Sequence, residues 1–229
     1  MSDDFMEYHK INSLFKRDSQ TNRFMVGEWA TEELEFLQDA KWDWTEKVDG
    51  TNIRIQVATL PDDTVDVEFR GRTDNAQFSK PLYDVINVLV LSPEFLEQAF
   101  TVLTRGKPVT EPITAILFGE GYGAGVQKGG AYRATPGFIL YDVLIDNQWW
   151  MPRSAIQQIG EDLGLDVVPY VGRMTIHEAI DLVRSPDFKS YWPEAKPEGL
   201  VGVPAAPLFD RRHRRIVTKV KVRDFDYVS

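Results

Sequence analysis

Ile53, Ile55 and Val57 alternate with polar residues, and Val65, Val67 and Phe69 repeat the pattern after Pro61-Asp62-Asp63. A period of two is the signature of a half-buried strand, and the Pro-Asp-Asp step supplies the turn between two of them. Helical spacing follows. Leu82, Val85, Ile86, Leu89 and Val90 recur at helical intervals, and Ser92-Pro93 reads as the N-cap and first residue of a helix with Phe95, Leu96, Ala99, Phe100 and Leu103 on one face. Upstream, Thr31 is predicted to cap a short helix whose first turn carries Glu32 and Glu33, where acidic groups favour the helix dipole. Downstream, Ile113 to Phe118 and Phe138 to Ile145 suit buried strands, separated by a glycine-rich loop from Gly119 to Gly130. Helices are predicted near 154–163 and 175–184, the second opened by the capping-box pattern Thr175-Ile176-His177-Glu178. Strands near 199–204 and 215–223 close the chain. The class is α+β without internal repeats, and no linker divides it, so one compact domain over 1–229 is the simplest expectation.

Composition narrows the functions available. With 229 residues, 43% of them hydrophobic, there is apolar material for one large core or two small ones. No apolar run approaches the ~18 residues that span a bilayer. The start, Met1-Ser2-Asp3-Asp4, lacks the basic and apolar parts of a signal peptide. The absence of Cys excludes disulfides and thiolate metal sites. A soluble cytoplasmic protein is expected. A net charge of -9 argues against broad nonspecific nucleic-acid binding, although Arg211-Arg212-His213-Arg214-Arg215 is a local basic cluster.

Lys47 lies in Glu46-Lys47-Val48-Asp49-Gly50-Thr51-Asn52, a lysine followed by a turn and then the first alternating strand. This setting suits a lysine that attacks a nucleotide phosphate. Only the neutral amine is a nucleophile, and a lysine ordinarily titrates near ~10.4. Lowering that value by ~3 means disfavouring the ammonium by about 4 kcal/mol, which nearby cations or a metal can do. Lys219 and Lys221, two apart on a strand, share one face, with Ile216, Thr218, Val220 and Val222 on the other. Two adjacent ammonium groups repel unless an anion bridges them, and a polyphosphate would satisfy both. A solvated edge strand explains the same pair.

Glu198 precedes an apolar strand in Lys196-Pro197-Glu198-Gly199-Leu200-Val201, a place from which a carboxylate can hold a divalent cation against phosphate oxygens; a simple turn residue fits as well. Glu120 follows an apolar strand in Phe118-Gly119-Glu120-Gly121-Tyr122-Gly123, whose glycines allow close backbone approach to a ligand. That loop is neither a Walker A loop nor a dinucleotide fingerprint. Tyr141, beside Asp142, suits stacking on a base or an ordinary core position. Arg70 and Arg72 share one strand face and have the fork geometry for phosphate, or serve as surface charges.

Taken together and in this order, the segments resemble the RNA ligase 2-like family of bacteriophage and related ATP-dependent RNA ligases, covalent nucleotidyltransferases. Lys47-Val48-Asp49-Gly50-Thr51-Asn52 resembles motif I and Arg72-Thr73 motif Ia. Phe118-Gly119-Glu120-Gly121-Tyr122-Gly123 resembles motif III and Leu140-Tyr141-Asp142-Val143 motif IIIa. Glu198-Gly199-Leu200-Val201 resembles motif IV and Lys219-Val220-Lys221 motif V. The resemblance runs from about Trp44 to Phe225. It implies a nucleotidyltransferase domain of ATP-grasp-like ligase adenylation type, with antiparallel sheets flanked by helices. It further implies that Lys47 attacks the α-phosphate of ATP to form lysyl-AMP. Glu46 contacts the adenine edge, Tyr141 stacks on the base and Glu120 binds the ribose hydroxyls. Glu198 helps hold Mg2+, with Mn2+ as a substitute, and Lys219 and Lys221 grip the α-phosphate. Asn52 and Arg72 serve the later steps, in which AMP moves to an RNA 5′-phosphate and a 3′-hydroxyl displaces it.

Thr51-Asn52 after the motif glycine favours an RNA ligase over a minimal DNA ligase. Asp49 stands where some relatives carry His, and either suits the motif. Ser229 follows Lys221 too closely for the C-terminal helical domain or OB-fold of larger relatives, which puts independent end-joining in doubt. The other readings are adenylation of a different acceptor and, outside catalysis, an RNA-end-binding module working with a partner. The expectation is a monomeric RNA-repair enzyme without membrane association, phage-encoded and active in the host cytoplasm, with an end-healing enzyme as partner.

Overall fold

The computed structural model describes residues 5–74, 76–127 and 130–226. The chain is α+β and its sheets are mainly antiparallel, as the sequence implies. It divides into two compact units, Met1–Tyr8 with Asp49–Val167, and His9–Val48 with Val168–Ser229. Each has its own apolar core, so of the one large core or two small ones that composition allows, two are present.

In the first unit the strands run in the order Asp166–Val167, Gly137–Ile145, Ile113–Tyr122, Thr51–Thr59 and Val65–Gly71, with Trp149–Trp150 paired to Gly137–Ile145. Among the described residues of this unit only Asp166–Val167 pairs in parallel. The predicted turn forms: the Asp62 carboxylate accepts from the Thr64 hydroxyl at 2.6 Å, and Asp63 takes a φ of 63°. Helices Lys80–Val90, Pro93–Thr104 and Arg153–Asp162 bury Ile86, Phe95 and Ile156 in one apolar cluster with Ile53, Ile55 and Val57. Ser92 caps as predicted, accepting from the Phe95 N–H at 3.2 Å.

Two expectations are corrected here. Thr51–Thr59 is not half-buried, because Arg54, Gln56 and Ala58 are buried as well. Arg54 is 0% exposed and donates to the carbonyls of Gly71 and Phe5 and to the Asp74 carboxylate at 2.7, 2.6 and 2.8 Å. A charge placed at the polar phase of the alternation is thus fully paired inside. The loop predicted from Gly119 also begins later. Gly119 to Tyr122 continue the strand, which places Glu120 opposite Asn52 in register.

In the second unit a five-stranded sheet runs Asn12–Ser13, Thr218–Lys221, Gly199–Pro204, Trp42–Glu46 and Tyr170–Met174, and a separate ribbon pairs Phe15–Arg17 with Phe24–Trp29. Trp42, Trp44, Leu200 and Val220 meet helix Ile176–Arg184 in its core. Thr31 caps helix Glu32–Phe36, and Thr175 and Glu178 form the capping box. The last strand is shorter than predicted, since Val222–Asp224 turns into a 3-10 helix. Within the basic cluster, Arg214 pairs with Asp210 at 2.7 Å and Arg215 is buried, so only part of it remains an exposed charged surface. No single helix among the described residues is long and apolar enough to cross a membrane.

Trp44 is fully buried, and Gly202 leaves room for its ring: a Cβ there would lie 2.6 Å from it. Trp44→Ala is expected to lower stability by about 3–5 kcal/mol in urea denaturation. The Glu178 carboxyl is held down to about 2 by the Thr175 N–H, then by Lys41 and the Thr175 hydroxyl. A depressed carboxyl contributes stability that is complete above its ordinary 4.5 and disappears as pH falls toward 2. Glu178→Gln should therefore flatten the stability profile across that window, read as thermal midpoint against pH.

Candidate active site

In the second unit three adjacent strands end together. The Lys47 N–H, just beyond Trp42–Glu46, donates to the Gly199 carbonyl at 2.9 Å, and the Val222 N–H donates to the Glu198 carbonyl at 3.0 Å. Gly199 pairs with Lys221 across the sheet. These backbone bonds bring three distant side chains into contact. Glu198 accepts from Lys47 Nζ at 2.7 Å through one carboxylate oxygen and from Lys221 Nζ at 2.5 Å through the other. All three are mostly shielded from solvent, with side-chain exposures of 19%, 17% and 14% for Lys47, Glu198 and Lys221. Burial raises the Glu198 carboxyl, but the charge of Lys47 and the hydrogen bonds from Lys221 and Lys47 outweigh it, and the group stays below the ordinary carboxylate range.

The geometry requires glycine at 199. Its φ is +149°, and a Cβ would lie 2.1 Å from the Val220 carbonyl oxygen. Lys219 shares the half-buried face of its strand with Lys221, while Thr218 and Val220 point into the core. Glu46 is buried and its carboxylate accepts from the Ser190 hydroxyl at 2.6 Å and the Tyr191 N–H at 2.8 Å. It therefore fixes the turn before Glu198, a task the sequence does not announce.

In the first unit Asn52 and Glu120 are cross-strand partners, and the Asn52 amide donates to the Tyr141 hydroxyl. The register shifts after Phe118, at the point where Tyr141 stands in the facing strand. Burial and then the charge of Glu120 push the Tyr141 phenol well above its ordinary 10.0, while the Asn52 bond and Arg72 act in the opposite direction. Arg72 lies just beyond the end of strand Val65–Gly71 and is exposed, which corrects the expectation that it shares a strand face with Arg70. Arg70 itself pairs with Glu68 and Asp74. Tyr8 has no distinguishing signal in the sequence. Its ring sits edge-on to Tyr141 with centroids 5.2 Å apart, and its hydroxyl donates to Asp142 at 2.9 Å. A partner 134 residues away leaves no local signal.

Residues 40–221 match the RNA ligase family. The chain belongs to it. No curated protein matches at comparable significance. Among solved structures the fold is similar to those of Naegleria gruberi RNA ligase variants. One with AMP and Mn has a TM-score of 0.61 at 15% identity, covering 96% of this chain and 57% of that one. One with ATP and Mn has a TM-score of 0.60 at 16% identity, covering 94% and 61%. A third, again with AMP and Mn, has a TM-score of 0.57 at 16% identity, covering 84% and 53%. The chain thus spans between half and two thirds of these RNA ligases.

RNA ligase chemistry implies a divalent cation. Among the described residues no three His, Asp or Glu side chains converge on a common point. Mg2+ does not need such a cage, because it keeps several waters and leans on one or two carboxylates and substrate phosphates. Glu198 supplies one such carboxylate among cations that suit phosphate, so the residues fit a cation held mainly through water and substrate.

Gly199→Ala should displace Val220 or Glu198 and destabilise the chain by about 1–3 kcal/mol, the scale of local backbone strain. Chemical denaturation measures the loss; wild-type stability in the variant would contradict the close packing described.

Proposed function

We propose that this RNA ligase family member is an ATP-dependent RNA ligase that seals ends through a lysyl-AMP intermediate. The observation that carries the reading is the contact of Lys47, Glu198 and Lys221 at one end of three strands. In the first step the neutral Lys47 amine forms an N–P bond to the α-phosphorus of ATP. The bond from that phosphorus to the bridging oxygen breaks, its electron pair leaves with pyrophosphate, and the nitrogen loses a proton to solvent. Amine attack requires that Nζ be released from Glu198, so the carboxylate must turn to another cation as ATP arrives. A divalent cation, when bound, supplies charge that offsets the phosphates. Lys219 and Lys221 hold the α-phosphate, where negative charge develops.

The remaining roles follow the family motifs. Tyr141, fixed by Asn52, stacks on adenine, and Glu120 accepts from the ribose hydroxyls. Glu46 holds the Ser190–Tyr191 turn, and a carboxylate with two of its four acceptor sites in use retains capacity for the adenine amino group. Asn52 and Arg72 act when AMP passes to an RNA 5′-phosphate and a 3′-hydroxyl displaces it. The source is proposed to be a phage, and an end-healing enzyme is the proposed partner.

Incubation with α-labelled ATP and Mg2+ should leave label on the wild-type chain and none on Lys47→Ala. Labelling that survives the substitution would remove Lys47 as the nucleophile. Sealing of nicked duplexes with a 3′-terminal ribonucleotide, against all-DNA nicks, then separates RNA from DNA ligation. Adenylated protein that seals neither favours the partner-dependent reading.

A further inference from the structure

The segments that resemble motifs IV and V flank a stretch that no motif covers. Between strands Gly199–Pro204 and Thr218–Lys221 the chain turns back on itself as a hairpin arm. The Ile216 N–H donates to the Leu208 carbonyl at 3.0 Å, Phe209 pairs antiparallel with Arg215, and the Asp210 N–H donates to the Arg214 carbonyl at 2.8 Å. One carboxylate closes the tip. Asp210 accepts from the N–H groups of Arg212 and Arg214 at 2.8 and 2.9 Å through one oxygen, and from Arg214 Nε at 2.8 Å through the other. His213 takes a φ of 58°, a left-handed conformation within this closed turn.

The closure decides which charges remain available. Asp210 is committed to Arg214, and Arg215 is buried. Arg211 and Arg212 are exposed, and neither has an acidic partner among the described residues. Leu208 and Phe209, at the base of the arm, are 37% and 46% exposed. On a chain of net charge -9, the arm thus gathers two unpaired guanidinium groups beside an exposed aromatic ring. A guanidinium fork matches phosphate oxygens in pairs, and an aromatic ring accepts any base by stacking.

The position of the arm indicates the shape of the polyanion. Gly199 pairs with Lys221 at the end of the two strands that carries Glu198, and Gly202 pairs with Thr218 toward the other end, where the arm begins. Lys221 and Thr218 are ~10 Å apart along their strand, and the arm extends further still. A ligand engaged at both places has to run the length of the sheet, which suits a polynucleotide strand.

We propose that the arm binds the RNA strand being sealed, with Arg211 and Arg212 on its phosphates and Phe209 against an unpaired base. The inference rests on the RNA-sealing reading above and adds the place where the polynucleotide is held away from the reacting ends. Phosphate contacts release counterions and make binding salt-dependent, whereas stacking releases none.

The test compares wild type with the pair Arg211→Ala and Arg212→Ala, the pair Arg211→Lys and Arg212→Lys, and Phe209→Ala. Fluorescence anisotropy with labelled single-stranded RNA, repeated over a range of salt, should show binding about tenfold weaker at low salt in the alanine pair, the scale of lost charge-assisted hydrogen bonds. The slope of log affinity against log salt should fall by about 1.4 in that pair, from two phosphate contacts on a single strand. The lysine pair should keep the slope, which separates charge from a misfolded arm. Phe209→Ala should weaken binding and leave the slope unchanged. Self-adenylation by α-labelled ATP without RNA should stay at the wild-type level in every variant, while KM for RNA in sealing rises in the alanine pair. Wild-type affinity and slope in the alanine pair overturn the proposal. Unchanged RNA binding with loss only of retention on polyglutamate also overturns it and assigns the arm to an acidic protein surface. If the alanine pair loses RNA binding as expected, yet wild type is not labelled by ATP, the arm stands and the catalytic reading fails.

Discussion

Glu198 is the hinge of the electrostatics in the second unit. One carboxylate holds two ammonium groups that arrive from sequence positions far apart, and without it Lys47 and Lys221 would face each other as like charges. The interaction satisfies the charges of side chains largely shielded from solvent. On the proposed reading it also occupies the nitrogen that is to act as nucleophile. Burial makes the competition consequential, because a charge removed from water depends more strongly on its partners.

The backbone around Glu198 is organised to place it. The bonds from Lys47 to Gly199 and from Val222 to Glu198 fix the strand ends, and the close approach at Gly199 leaves no room for a side chain there. Glu46 secures the turn that delivers Glu198. The site is therefore held mainly by main-chain contacts, and its side chains are free to exchange partners without dismantling the sheet.

What could be read from the sequence was what has a local signature. The strand at Ile53–Val57, the N-cap at Ser92 and the capping box at Thr175 each rest on neighbouring residues, and each element forms, although the strand is buried on both faces. Trp42–Glu46 does not announce itself, because its alternation holds only two apolar residues, and the burial of Asp43 between them depends on Arg173 and Tyr170 from another strand. The sequence puts Glu120 in a loop because its flanking glycines imitate a breaker, whereas in the sheet they admit close neighbours. At the site, motif order groups Lys47, Glu198 and Lys221, and the three side chains meet in the structure. It could not show that Glu198 pairs with both lysines, nor that Tyr8 supports Tyr141, since neither contact leaves a trace in spacing.

The buried Arg54 has a practical side. Its guanidinium is completed by the carbonyl of Phe5, so Phe5 is part of the interior of the first unit. Chain ends are commonly trimmed or tagged on the assumption that they are dispensable. Here, deleting Phe5–Tyr8 would leave a buried cation one acceptor short and take away the ring beside Tyr141. Tag placement and boundary choice at this end are thus decisions about folding and about the aromatic cluster, not about convenience.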